Sequence, residues 1–109
     1  MSVTVVAMVS INDDEPRALA EYFQVTGPLL RDAGAKIVKR FHLQEVVVGQ
    51  TAPKSVIIVE YPSTEAVSKV FHSDAYRQIE AVRDRAFSQY SVTVVSDEES
   101  MAEPLALVD

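Results

Sequence analysis

The chain has 109 residues, a length that suits one domain with a single modest core. It contains no cysteine, which excludes disulfides and thiolate metal sites, and a cytoplasmic location is expected. Sixteen acidic residues outnumber ten basic ones, and the net charge of −6 has the wrong sign for a protein that binds nucleic acid or an anionic membrane.

The first half of the chain is predicted to form a strand and then a helix. Val3 to Ile11 is rich in β-branched residues and alternates with Thr and Ser, which indicates a strand and neither a signal peptide nor a membrane span. Asp13 or Asp14 should cap a helix that begins near residue 14. Pro28 should bend this helix, and Gly34 should end it.

The second half is predicted to form a hairpin, a helix in two pieces and a final strand. A long strand from about Lys36 to Val48 turns through "GQTAPK" into the strand "SVIIVEY". Ser63 should cap the next helix, and Ser73 should cap a second piece that restarts after a break. The strand "YSVTVVS" then leads from the domain, residues 1–96, into the acidic C-terminal tail "DEESMAEPLALVD", residues 97–109.

The predicted order, β-α-β-β-α-β, is the ferredoxin-like pattern of the α+β class, with both helices on one face of a four-stranded antiparallel sheet. The strands are apolar on both faces, since Val5 and Ala7 alternate with Val6 and Met8 in the first strand. Two helices cannot cover both faces, and a monomer with a whole apolar sheet face in water would aggregate. We therefore predict a homodimer whose sheets face each other, with any pocket between the two sheets or between sheet and helices.

The segment "VIIVEYPSTEAVSKVFHSDAYRQIEAVRDRA" has a distinctive order of residues: a strand that ends in Glu, an aromatic residue, Pro and Ser, then a helix, an aromatic residue, Ser-x-x-Tyr and a later Arg. In this order it resembles the family called domain of unknown function 1330, within the dimeric α+β barrel superfamily. The resemblance runs from about Val3 to Val95 and implies a fold and a dimer. The family has no agreed activity, and the superfamily includes cofactor-free oxygenases, haem-handling enzymes and plain ligand binders.

The resemblance also bears on the second strand. Arg40 stands where such proteins usually carry an arginine, whereas Phe41 and His42 stand where they usually have a pair of glycines. The tail after Ser96 lies outside the resemblance.

Arg40 and Glu60 are the leading candidates for a polar site, because each interrupts an apolar strand and would be costly to bury alone. A hairpin that turns near Thr51 places them roughly opposite each other, which predicts an ion pair. This pair either orients a small carbonyl compound or acid at the edge of an apolar cavity or is a structural salt bridge. His42 lies two residues from Arg40, on the same side of the strand, and is the candidate general base.

The stretch "VFHSDAYRQI" is predicted to be mainly structural, with Ser73 as a cap and Tyr76 facing the core. His72, in the helix break, either lines the mouth of a pocket or is a hinge residue. The predicted ligand contacts are Arg40, Glu60, His42, Tyr22 and His72.

The predicted ligand is a small apolar or aromatic molecule in the barrel cavity. No cofactor is expected, and no spacing of the H-x-x-x-H kind supports a metal site. If the protein is an enzyme, cofactor-independent oxygenation or isomerisation fits best, since it needs only a dry pocket and one base. The alternative is a non-catalytic structural or regulatory homodimer. In the tail, Leu105, Leu107 and Val108 either pack against the partner subunit or belong to a disordered terminus.

Overall fold

The computed structural model describes residues 2–50 and 52–96 of the chain. The predicted contacts of Leu105, Leu107 and Val108, like the rest of the tail, lie outside the described residues. Within the described residues, strands and helices follow one another in this order: β1 (Val3–Ile11), α1 (Pro16–Asp32), β2 (Lys36–His42), β3 (Ser55–Tyr61), α2 (Thr64–Phe71), α3 (Asp74–Arg77), α4 (Glu80–Ala86) and β4 (Phe87–Val95).

The four strands form one antiparallel sheet in the order β2-β3-β1-β4. Val5 and Val9 of β1 are buried against residues of the helices, among them Ala18 of α1 and Val70 of α2. The helices therefore pack on the face of the sheet that carries the odd-numbered residues of β1, and the predicted ferredoxin-like α+β fold is confirmed. No helix in the described part of the chain is long and apolar enough to cross a membrane.

The opposite face of the sheet carries the even-numbered residues of β1. Met8 lies opposite Val56 of β3 and Ser91 of β4, so these three side chains share that face. No described helix covers it, and Met8 keeps 40% of its surface exposed. We call this surface, which carries Val6, Met8, Val56 and Ile58 at its centre, the open face.

Short-range hydrogen bonds fix the helix ends as the sequence predicts. The Oγ atom of Ser63 accepts a hydrogen bond from the Ala66 N–H at 3.1 Å, and that of Ser73 accepts one from the Tyr76 N–H at 3.1 Å. Gly34 has φ of 78° after the end of α1, and a Cβ atom built there would lie 2.9 Å from Cγ of Pro62. Glycine is therefore required at this turn on both backbone and steric grounds.

Several predicted boundaries were wrong. β2 ends at His42 and not at Val48, because the chain leaves the sheet there and Val48 is 89% exposed. α1 begins at Pro16 with Glu15 at its N-cap and no side-chain cap, so Asp13 and Asp14 stand too early to cap it, and the Asp14 N–H donates to Oδ1 of Asn12 in the preceding turn. The second helical piece is itself split into α3 and α4, and β4 begins at Phe87, three residues before the predicted strand "YSVTVVS".

Candidate functional site

A cavity of about 860 Å³ lies between the helix-covered face of the sheet and α1. Its walls are mostly aliphatic and aromatic, and they include Val5, Ala7, Val9, Phe23, Leu30 and Ile57. Small-molecule sites in proteins commonly enclose roughly 300 to 1,000 Å³, so this cavity has room for a ligand of ordinary size.

Three tyrosine hydroxyls meet beside this cavity, which Tyr22 and Tyr90 line and Tyr76 does not. The hydroxyl oxygens of Tyr22 and Tyr76 lie 2.9 Å apart, Tyr76 donates to Tyr90 at 3.1 Å, and the hydroxyls of Tyr22 and Tyr90 are also in contact. With Tyr76 donating to Tyr90, Tyr90 can donate to Tyr22 and Tyr22 to Tyr76. Each hydroxyl then donates once and accepts once, and each oxygen retains one lone pair as a further acceptor. We call this closed cycle of three hydroxyls, contributed by Tyr22, Tyr76 and Tyr90, the tyrosine ring.

Three different elements position the tyrosine ring. Tyr22 belongs to the buried stripe of α1, four residues from Ala18 and four from Thr26. Tyr76 stands in the single turn of α3, which the Ser73 cap fixes, and Tyr90 of β4 lies opposite Val9 of β1.

Edge-on packing against phenylalanines holds the aromatic side chains of these tyrosines in place. Phe87 packs edge-on against Tyr22 with 5.2 Å between ring centroids, and Phe71 packs edge-on against Tyr76 at 5.0 Å. Edge-to-face packing of this kind adds about 0.5 to 1.5 kcal/mol per pair. The hydroxyls are thus held at fixed positions before any ligand arrives.

Arg83 of α4 adds a positive charge beside the tyrosine ring. Its guanidinium carbon lies 5.4 Å from the ring centroid of Tyr90 and 5.8 Å from that of Tyr76, within the range of cation–π attraction. Its Nη2 atom also lies 3.2 Å from Oδ1 of Asp84. Arg83 lines a second cavity of about 830 Å³, which adjoins the first at Phe71 and Tyr90.

Burial makes two of these tyrosine hydroxyls harder to ionise. It raises the pKa of Tyr22 and of Tyr90 above the ordinary value of 10.0, and contacts with the neighbouring tyrosines act in the same direction for Tyr22. Burial, together with the nearby Tyr76, raises the pKa of Tyr61 to about 12. Near neutral pH the hydroxyls of Tyr22 and Tyr90 are therefore hydrogen-bond donors and acceptors without charge.

The structure brings three of the predicted site residues together. Tyr22, Arg40 and His42 all line the cavity between sheet and α1. His72 lines the second cavity instead, and Glu60 is exposed on the open face, opposite Thr4 of β1. Their roles in ligand binding stay predictions. Among residues 2–50 and 52–96, no three His, Asp or Glu side chains are grouped so that they could hold a metal ion.

The predicted ion pair between Arg40 and Glu60 was wrong. Arg40 lies opposite Ile57, whereas Glu60 lies opposite Lys36, so the two side chains are on opposite faces of the sheet. The hairpin is centred near Gly49 and not near Thr51, and the pairing shifts by one residue between Ile37 and Lys39 of β2. Neither feature could be placed from the sequence pattern alone.

Tyr90 and Arg83 were not among the residues singled out from the sequence. Tyr76 was correctly expected to face the core, where 2% of its surface is exposed, but its hydroxyl was given no partner. The sequence did hold one chemical indication of this contact. A buried tyrosine hydroxyl usually needs a hydrogen-bond partner, and with only four tyrosines in the chain another tyrosine was a candidate partner for Tyr76.

A four-stranded antiparallel sheet with helices on one face defines a ferredoxin-like α+β protein. The chain belongs to the family described as domain of unknown function (DUF1330), whose model matches residues 3–97. The resemblance seen in the sequence is thereby confirmed.

Solved structures with the same fold are distant in sequence. A protein of unknown function from Rhodopseudomonas palustris is 20% identical, with a TM-score of 0.73 over 90% of this chain and 83% of that chain. SnoaB from Streptomyces nogalater, described as a cofactor-independent oxygenase, is 12% identical, with a TM-score of 0.57 over 90% and 94%. A dimeric protein of unknown function and ferredoxin-like fold from Bacteroides fragilis is 9% identical, with a TM-score of 0.52 over 88% and 96%. No curated protein matches the sequence significantly. These likenesses show the fold alone.

The raised pKa values of Tyr22, Tyr61 and Tyr90 predict that the folded protein loses stability at alkaline pH. The folded-state pKa values lie above the unfolded value near 10, so the stabilisation is fully present below pH 10 and is lost as pH rises through about 12, where Tyr61 ionises. Urea unfolding at several pH values, with phenolate absorbance recorded in parallel, measures this loss. In Tyr22→Phe the free energy of unfolding should fall less steeply with rising pH, because the variant lacks one group that is harder to ionise in the folded state. A folded protein whose tyrosines all titrate like the unfolded chain would contradict this.

Proposed function

We propose that the protein binds a small, largely apolar molecule in the cavity between the sheet and α1. The observation that carries this proposal is a space of about 860 Å³ with mainly apolar walls that the chain's own side chains leave unfilled. Apolar walls of this extent face water in the absence of a ligand, and an apolar ligand would remove that surface from water. Phe23 and Ile37, which line it, are 54% and 51% exposed and offer apolar surface at its opening.

The polar groups of the cavity support the binding of an oxygen-bearing ligand. The tyrosine ring offers spare acceptor lone pairs at one end, and it offers donors if one of its internal hydrogen bonds is exchanged for a bond to the ligand. Arg40 and His42 stand at the β2 end. A few polar groups in an apolar cavity are the usual means of orienting a small molecule.

Binding is tested with N-phenyl-1-naphthylamine, a neutral apolar dye that fluoresces when it is transferred out of water. We expect the protein to bind the dye, and Ala7→Leu to weaken its affinity by about tenfold, because the larger side chain occupies cavity space. The matched control is Ala20→Leu, which adds the same group at an exposed position of α1 outside the cavity lining. If the two variants bind the dye with equal affinity, or if the wild-type protein does not bind it at all, the proposal is contradicted. A structural or regulatory homodimer without a ligand would then be the remaining alternative.

Catalysis is a second candidate function, favoured by the position of His42. His42, Ser55, Val9 and Tyr90 lie in one row across the four strands, all on the helix-covered face. A ligand that spans this row would meet a base at one end and tyrosine hydroxyls at the other, which suits cofactor-independent isomerisation or oxygenation. SnoaB, of the same fold, bears the description of such an oxygenase. Exchange of the α-hydrogens of a bound ketone with deuterium oxide, compared between the protein and His42→Ala, measures this activity.

We also propose that the open face packs against the open face of a second copy. Met8 and Phe41 are 40% and 49% exposed there, beside half-buried Val6 and Ile58. An apolar sheet face of this kind is usually covered, and a twofold copy of the same face is the commonest cover. The Bacteroides fragilis protein of this fold is described as dimeric, which supports the proposal.

Light scattering should give about twice the chain mass of 12.0 kDa. Met8→Lys should shift the protein towards the monomer, because it places a charge in the proposed interface. The control is Val94→Lys, since Val94 is 47% exposed but lies opposite Val5, on the other face of the sheet. A monomeric wild-type protein, or equal dissociation by both variants, would contradict the proposed interface.

A further inference from the structure

The charges around the cavity differ from those of the chain as a whole. The chain has sixteen acidic and ten basic residues, yet the cavity lining contains Arg31, Lys36 and Arg40 and no Asp or Glu. The second cavity, by contrast, has Glu80 and Asp84 beside Arg83. Positive side chains are thus concentrated at one cavity of an acidic protein.

Arg40 is the best placed of these side chains. It lies opposite Ile57 of β3, and Ile57 lies opposite Ala7 of β1, so all three share the helix-covered face that forms the cavity wall. Lys36 is less well placed, because its position opposite Glu60 belongs to the open face. Arg31 approaches the cavity from the last turn of α1.

Arg40 has no carboxylate partner among the described residues. The ion pairs within residues 2–50 and 52–96 are Asp74 with Arg77 and Asp84 with Arg83, and both lie away from β2. A guanidinium at the edge of an apolar cavity is suited to a carboxylate, with which it can form two parallel hydrogen bonds.

We propose that the ligand of this cavity is a carboxylic acid with an apolar or aromatic body, whose carboxylate binds Arg40. This inference rests on the proposed binding function and specifies its ligand class. The body lies against Ala7 and Ile57 and extends across the sheet towards the tyrosine ring. The outer strands β2 and β4 are three strand spacings apart, about 14 Å, so a ligand with a carboxylate at one end and a carbonyl or hydroxyl oxygen at the other can reach both polar sites.

The net charge of the chain opposes the binding of a carboxylate. A net charge of −6 repels an anion at long range, so a preference for a carboxylate has to come from local contacts. Two ligands of the same shape that differ only in charge therefore isolate the contribution of the cavity's own cations.

The test compares 2-naphthoate with 2-naphthamide, which have the same bicyclic body, as competitors of N-phenyl-1-naphthylamine. We expect naphthoate to displace the dye at a concentration about tenfold lower than naphthamide, as a charge-assisted hydrogen bond to a guanidinium permits. Arg40→Gln should abolish this difference while it still binds the dye, which shows that the variant is folded. Arg77→Gln, at an exposed arginine outside both cavities, should leave the difference unchanged.

Each other outcome has a definite meaning. Equal displacement by naphthoate and naphthamide in the wild-type protein, or a preference for naphthoate that persists in Arg40→Gln, would overturn the inference but leave binding of an apolar ligand in place. Failure of the wild-type protein to bind the dye would overturn both the inference and the proposed function.

Discussion

The sheet of this protein is apolar at the centre of both faces, while the described helices cover only one. Alternate residues of β1 show the constraint most directly, since Val5 and Val9 are buried beneath the helices whereas Met8 on the opposite face is 40% exposed. Burial of apolar surface is the main favourable term in folding and association, so each face needs a cover. The two proposals follow from this need: a ligand completes the packing under α1, and a second copy covers the open face.

The tyrosine ring shows how the helix-covered side combines packing with polarity. Tyr22, Tyr76 and Tyr90 contribute large apolar rings to the core, and their hydroxyls bind one another. A hydroxyl buried without a partner would cost about 1 to 3 kcal/mol, whereas three that share hydrogen bonds avoid most of that cost. Arg83 supplies a positive charge beside the rings of Tyr76 and Tyr90 and lines the second cavity, whereas Arg40 lies in the lining of the cavity under α1.

Much of the fold could be predicted from the sequence, because it depends on local patterns. Alternation of apolar residues predicted the two faces of β1, and Ser63 and Ser73 marked helix starts through side chains that bind backbone N–H groups three residues away. The candidate site was harder to predict because it depends on register and convergence. The position of the turn and the irregular pairing between Ile37 and Lys39 together separated Arg40 from Glu60. The meeting of Tyr22 with Tyr76 and Tyr90 joins residues 54 and 68 positions apart. No periodicity within a single element reports such contacts.

The most direct measurement of where a ligand binds uses the alternation of β1 itself. Methyl-labelled protein and N-phenyl-1-naphthylamine can be examined by NMR for nuclear Overhauser effects between dye protons and assigned methyl groups. Binding beneath α1 predicts contacts with the methyl groups of Ala7, Val9 and Ile57, which face the helices. Contacts confined to Val6, Met8 and Ile58, on the open face, would contradict it and assign the dye to the surface proposed for the second copy.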